Sequence, residues 1–257
     1  MELEEEMREL ELYRWIRVPK SSLFFLRCDG WKFHRLSEQL KLEKPYDMRF
    51  ARCMVNAVKA VFKSGLNPIL AFTFSDEVSF LMRGEVFSGR VEKLNSIVPS
   101  LLSSSLAYAL EQAFQAKARV AFDSRVVYTG LERAVDYLAW RQLEAWRNHL
   151  NSYAYHTLTS MGLSPREAAA RLRGLRSEQI HELVYREAGV NLAKTPAWQR
   201  RGILVYWRWY TKTGVDPRTG EVREAKRRKL VENWRPPDFK RERSWVLALI
   251  AEAMERA

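Results

Sequence analysis

"AFTFSDEVSF", residues 71–80, decides how this chain is read. Phe72, Phe74, Val78 and Phe80 carry a β-strand pattern, and Asp76 and Glu77 interrupt it side by side. A carboxylate drawn into an apolar strand is costly unless a positive charge meets it. The interruption splits the run into two strands, "PILAFTF" and "VSFLM", close enough to form a hairpin around Ser75-Asp76-Glu77.

Outward from the hairpin, the pattern repeats in reverse. "SLFFLRCDG" (22–30) is an apolar strand ending on Asp29-Gly30. "DMRFARCMVNAVKAVFKSG" (47–65) spaces Phe50, Met54, Val58, Val61 and Phe62 as a helix, with Asp47 as N-cap and Gly65 as stop. A long helix is expected over about 90–116, and "ARVAFDSRVVY" (118–128) returns to β. The order β-α-β-β-α-β defines a ferredoxin-like, split βαβ unit. Residues 1–131 are expected to form this palm-like unit, preceded by a short amphipathic helix at 3–16. Residues 132–257 read as a mainly helical region: a helix ending at Gly162, a capping box at Ser164-Pro165-Arg166-Glu167, and a helix at 178–188 stopped by Gly189. A hairpin turning at Asp216–Gly220 and a last helix after Ser244 complete an α+β chain.

Composition sets the partners. The net charge is +12, and residues 194–245 hold 15 Lys/Arg against 6 Asp/Glu. The same segment carries Trp198, Trp207, Trp209, Trp234 and Trp245. Basic side chains interleaved with aromatics suit phosphate backbones and unstacked bases, so Arg200, Arg201, Arg208, Lys212, Arg227 and Arg228 are candidate RNA contacts. Apolar runs are too short for a membrane span, and "MELEEEMREL" has no apolar signal-peptide core. Two cysteines outside any CxxC pair argue against structural zinc and for a reducing, cytoplasmic setting.

In the split βαβ order, strands one and three adjoin at the sheet centre, so Asp29 can face Asp76. Converging carboxylates repel unless a cation intervenes. Hard oxygen ligands favour Mg²⁺, and two such ions would hold the attacking and leaving oxygens of a phosphoryl displacement, as in a polymerase palm. Gly30 lets its carbonyl approach a metal closely. "GEVFSGRV" (84–91) has P-loop glycine spacing, but Arg90-Val91 replace Lys-Ser/Thr, which excludes a Walker A site.

"RCDGWKFHRLS" (27–37), "EKPYD" (43–47), "FSDEVSF" (74–80), "DYLAWRQ" (136–142) and "GVNLAKTPAWQRRGILV" (189–205) together resemble, in order, blocks of the tRNA-histidine guanylyltransferase family. The resemblance implies Mg²⁺-dependent addition of nucleotides to the 5′ end of tRNA in the 3′-to-5′ direction, with GTP and ATP as substrates. It implies that Asp29, Gly30 and Asp76 hold two Mg²⁺ and that Glu77 supports the metal site. Asp29, Gly30, Trp31, Lys32, Phe33 and His34, with Ser75 and Asp76, would hold the incoming nucleotide. Lys44 and Asp47 match the E-K-P-x-D positions, and Arg90 and Lys93 match basic positions that meet triphosphates. The family also implies acceptor-stem contacts and a homotetramer. One departure is clear: where tRNA-histidine-specific members carry His-Ile-Asn-Asn, this chain reads "WRNH" (146–149), with Asn148 alone in place. That favours the guanylyltransferase-like branch, which extends 5′ ends by template pairing. His156 and His181 read as helix-surface residues. A nucleotide cyclase on a related palm, or a non-catalytic RNA-binding protein, are the competing readings.

Overall fold

The computed structural model describes residues 2–215, 218 and 221–255. The palm order is present as expected: β1 (Leu23–Gly30), α2 (Phe33–Gln39), α3 (Met48–Val61), β2 (Leu70–Phe74), β3 (Glu77–Arg83), α4 (Val91–Phe114) and β4 (Phe122–Thr129). These strands lie antiparallel in the order β4-β1-β3-β2. Asp47 caps α3, its Oδ1 accepting from the Arg49 amide at 2.8 Å.

Two features differ from expectation. The leading helix, α1, covers only Glu2–Glu9; Leu3 and Met7 are exposed, so no buried face carries the helix further. The basic hairpin, assigned from sequence to the 132–257 region, continues the palm sheet: β5 (Ile203–Val215) pairs with β2, and β6 (Val222–Asn233) pairs with β5, so the sheet has six strands running through both regions. The expected turn at Asp216–Gly220 lies mostly outside the described residues. Sheet pairing with β2 ends at Leu70–Tyr206. From Trp207 onward β5 and β6 therefore pair only with each other as a two-stranded arm, and β5 runs about 40 Å from Ile203 to Val215 at roughly 3.3 Å per residue.

Alternation along the strands divides the core. Phe24, Leu26, Cys28, Val78, Phe80 and Met82 face α3 and α4. Leu23, Phe25 and Leu81 face α5 (Leu131–Ser160) and α9 (Arg243–Glu255). The pleat therefore puts Arg27, Asp29 and Glu77 on the α5 side.

Helix α5 is 30 residues long, about 45 Å. Ala134, Val135, Tyr137 and Leu138 pack on the sheet, whereas Leu150, Ala154 and Leu158 pack on α6 (Pro165–Leu172) and α7 (Ser177–Ala188). The second half thus overhangs the end of the sheet where Asp29 lies. The capping box at Ser164 starts α6, and Gly189, at φ 68°, ends α7 as read from sequence.

His149 fixes this overhang to the loop before α3. Its ring is fully buried, stacked near Tyr46 (centroids 5.7 Å) and Trp146 (5.5 Å) and edge-on to Tyr153 (4.8 Å), with Nε2 3.0 Å from Thr195 Oγ1. Burial pushes its pKa down to about 4. The unfolded chain binds this proton below the ordinary histidine range and the folded chain does not. Stability from this site is therefore full above pH 6.5 and falls as pH drops toward 4, by at most about 1.4 kcal/mol per pH unit. Urea unfolding at pH 7 and pH 5 is expected to show a larger loss for the native chain than for His149→Phe.

Candidate active site

β1 and β3 run in register with Asp29 opposite Glu77, and β1 and β4 with Asp29 opposite Asp123. Asp76 sits with Ser75 in the two-residue turn between Phe74 and Glu77, Ser75 taking a positive φ of 51°. The Gly30 amide donates to the Asp76 carbonyl at 3.1 Å, tying the end of β1 to that turn. A side chain at position 30 would strike the Phe33 ring, 2.5 Å from an ideal Cβ. Phe33 is itself packed against Phe50 and Phe122, so glycine is required here for packing.

Electrostatics at this junction are unfavourable to two free carboxylates. Burial raises the Asp76 pKa above the usual carboxylate range and the charge of Asp29 adds to the rise, against a 2.9 Å hydrogen bond from Ser75 Oγ. Among the described residues no group of three or more His, Cys, Asp or Glu side chains is arranged to hold a metal. Two carboxylates and the Gly30 carbonyl fit a hard divalent ion that keeps waters and substrate phosphates in the rest of its shell.

Glu77 points elsewhere. It is buried, and Arg141 from α5 grips it with both arms of the guanidinium, Nε donating to Oε1 at 2.7 Å and an NH₂ group to Oε2. Burial raises its pKa, with Arg141 opposing the rise. Both carboxylate oxygens of Glu77 are thus engaged by Arg141, which in turn lies over Trp140 at 4.5 Å. The next residue, Gln142, accepts from the Phe239 amide at 2.9 Å and donates to the carbonyls of Arg201 and Pro237. The W-R-Q block is a clamp.

A cavity of about 350 Å³ opens beside Asp76. Of the residues singled out in the sequence, Phe33, His34, Lys44, Asp47, Ser75 and Asp76 line it. Burial would raise the Asp47 pKa, but Arg49 and the amides of Glu43 and Arg49 hold it below the usual carboxylate range. Lys44 Nζ donates to Ser37 Oγ at 2.8 Å. Trp31 is 60% exposed with Lys32 Nζ 4.1 Å above its ring, outside the cavity wall. Arg90, bridged to Arg17, and Lys93 in the first turn of α4 are also outside it.

The opposite wall was missed from sequence. Asn148, Ser152 and His156 of α5 line the cavity, with Tyr46, Trp198 and Gln199. Their four-residue spacing, 148-152-156, is a polar stripe on one helix face. His156 is accordingly a cavity residue and not a surface one; its pKa is lowered by burial. Arg27 is the other omission: its Nε is buried with no hydrogen-bond partner among the described residues.

The basic residues divide into two groups. Arg200 and Arg201 are in α8 (Ala197–Arg201), beside the cavity through Trp198. Arg208, Lys212, Arg227 and Arg228 are on the arm at the other end of the sheet, Arg228 lying 4.4 Å over the Trp207 ring.

Comparison with known families matches residues 4–130 to the tRNAHis guanylyltransferase model and 132–242 to its C-terminal domain model. The chain belongs to the tRNA(His) guanylyltransferase family. A probable tRNA(His) guanylyltransferase of Drosophila melanogaster is 37% identical over 186 residues, 70% of this chain and 65% of that protein. The crystal structure of the Saccharomyces cerevisiae enzyme is 30% identical and covers 77% of this chain and 90% of its own, with a TM-score of 0.69. Structures of a bacterial tRNA(His) guanylyltransferase-like protein, in complex with ATP and with GTP, share the fold at 19% identity, covering 97% of this chain and 99% of theirs, with TM-scores of 0.78 and 0.72.

Arg141→Ala strands a buried carboxylate and is expected to destabilise the protein by about 3–5 kcal/mol in denaturant unfolding. The pair Glu77→Gln with Arg141→Met should recover most of that loss. A double variant as unstable as the single one would show that the pair itself is not the source.

Proposed function

We propose that this chain is a Mg²⁺-dependent nucleotidyltransferase that adds nucleotides, GTP among them, to the 5′ end of tRNA by template-directed 3′–5′ extension. One observation carries the reading: the Asp29-Gly30 strand end is held against Asp76 at the lip of a cavity walled by the family's sequence blocks.

Asp29, Asp76 and the Gly30 carbonyl are the residues that would hold Mg²⁺. When bound there, Mg²⁺ neutralises triphosphate charge and makes a 3′-hydroxyl more acidic. The protein's own share is positional. The cavity takes the incoming nucleotide, with Lys44 and His34 at its rim offering charge and hydrogen bonds to it. The 3′-hydroxyl of the incoming nucleotide attacks the α-phosphorus, the one bonded to the RNA 5′ oxygen: an O3′–P bond forms, and the bond to pyrophosphate breaks, or to AMP where ATP has first activated a 5′-monophosphate. The hydroxyl proton leaves to solvent. Arg200 and Arg201 contact RNA beside the cavity, and the arm residues contact it far from the reacting end.

Among the described residues no helix is long and apolar enough to cross a membrane. Cys28 and Cys53 are buried free thiols, in keeping with a cytoplasmic setting. Trp140 and Leu143, one turn apart on α5, are exposed and would contribute apolar surface to assembly into a homotetramer.

The test is labelled GTP, Mg²⁺ and a tRNA lacking its first nucleotide, prepared with a 5′-triphosphate and with a 5′-monophosphate plus ATP. Label at the 5′ end is expected with the native chain, and a loss of at least about 100-fold with Asp29→Ala or Asp76→Ala. Both variants should still bind tRNA, with an affinity that falls steeply with salt. No label with either 5′ end would overturn the reading.

A further inference from the structure

Trp198 has a second side. Beyond it lies an open groove of about 950 Å³ between α3, the 194–200 segment and the end of β6. Arg52, Lys194, Arg200 and Arg235 line it and make no ion pair among the described residues. Its one acid, Glu232, is already engaged by Lys59 and by Trp234 Nε1 at 3.3 Å. Arg200 Nε is spent on the Thr195 carbonyl at 2.8 Å; burial, then neighbouring Arg201, lower its pKa. Such a guanidinium lacks an anion. The rings of Trp198 and Trp234 meet edge to face at 6.1 Å in the same groove, both half-buried.

Four cations from three separate segments, facing one acid that Lys59 and Arg52 already share, suit an extended anion better than one small one. They line a track, and two indoles along a basic track are what an unpaired nucleic-acid strand requires: phosphate contacts on its edge and planar surfaces for its bases. An RNA 5′ end extended against a template is paired there, so the template strand continues past it as an unpaired 3′ segment. That segment leaves the duplex next to the cavity, and Trp198 forms the wall common to the cavity and the groove.

We propose that this groove seats the unpaired 3′ segment of the RNA whose 5′ end is being extended. The inference rests on the reading above and names the part of the substrate that lies outside the reaction centre. Stacking on Trp234 and charge from Arg52 and Arg235 hold the segment out of the nucleotide cavity.

The experiment is a two-way cycle on the full-length chain. Affinity is measured for intact tRNA and for the same tRNA with its unpaired 3′ nucleotides removed. The protein forms are native, Trp234→Ala, and Arg52→Gln with Arg235→Gln; the last two sites are exposed, so that variant folds if Trp234→Ala does not. Each variant is expected to lose about tenfold or more in affinity for intact tRNA and to bind the trimmed tRNA within twofold of native. Trimming should weaken the native chain by a similar factor and leave the variants unchanged. Equal losses for intact and trimmed tRNA in both variants would overturn the proposal, whether the groove then takes another part of the RNA or a protein partner. Labelling of the trimmed tRNA 5′ end by the native chain reports separately on the underlying activity.

Discussion

Two negative charges placed side by side by main-chain pairing are the constraint on which this structure turns. The antiparallel register of β1 and β3 sets Asp29 opposite Glu77, and the Gly30 amide binds the carbonyl of Asp76 in the preceding turn. Side-chain choice cannot relax this proximity, because the backbone of the two central strands imposes it. Burial raises the pKa of Asp76 and the charge of Asp29 adds to the rise, and a divalent cation held there would offset both.

The surrounding elements keep that junction rigid while leaving it open on one side. Arg141 pairs with Glu77, which ties that end of β3 to α5. Gln142 fastens the segments that lead into and out of the basic hairpin. Past Ala145 the same helix overhangs the sheet and turns a polar face, Asn148, Ser152 and His156, toward the cavity. His149, one step around the helix, is turned away from that face into the Tyr46–Tyr153–Trp146 cluster. One long helix therefore does three jobs along its length: packing, charge compensation and forming the cavity wall.

The palm was legible because its signals are local. Strand alternation, the Asp47 cap and the Gly189 stop depend on neighbours in sequence, and they reappear in the structure. The hairpin's place was not legible, because addition of β5 to β2 depends on a contact between residues 70–73 and 203–206 that no local pattern encodes. The nearness of the Asp29–Gly30 strand end to the Asp76 turn followed from strand order alone, whereas the pairing of Glu77 with Arg141 is a contact 64 residues apart. The Asn148–Ser152–His156 stripe was visible in principle as a four-residue period, but it lies in a helix whose apolar residues dominate the pattern. Arg90 and Lys93, matched by sequence position, stand outside the cavity wall.

The most direct test of the junction is the water-proton relaxation enhancement of Mn²⁺ added with GTP, which rises only when the ion is held on the protein. The native chain should give a large enhancement, and Asp29→Asn and Asp76→Asn should each abolish it at protein concentrations where GTP still binds. Equal enhancement in all three proteins would mean that the two acids do not share a cation, and the proposed site would be wrong.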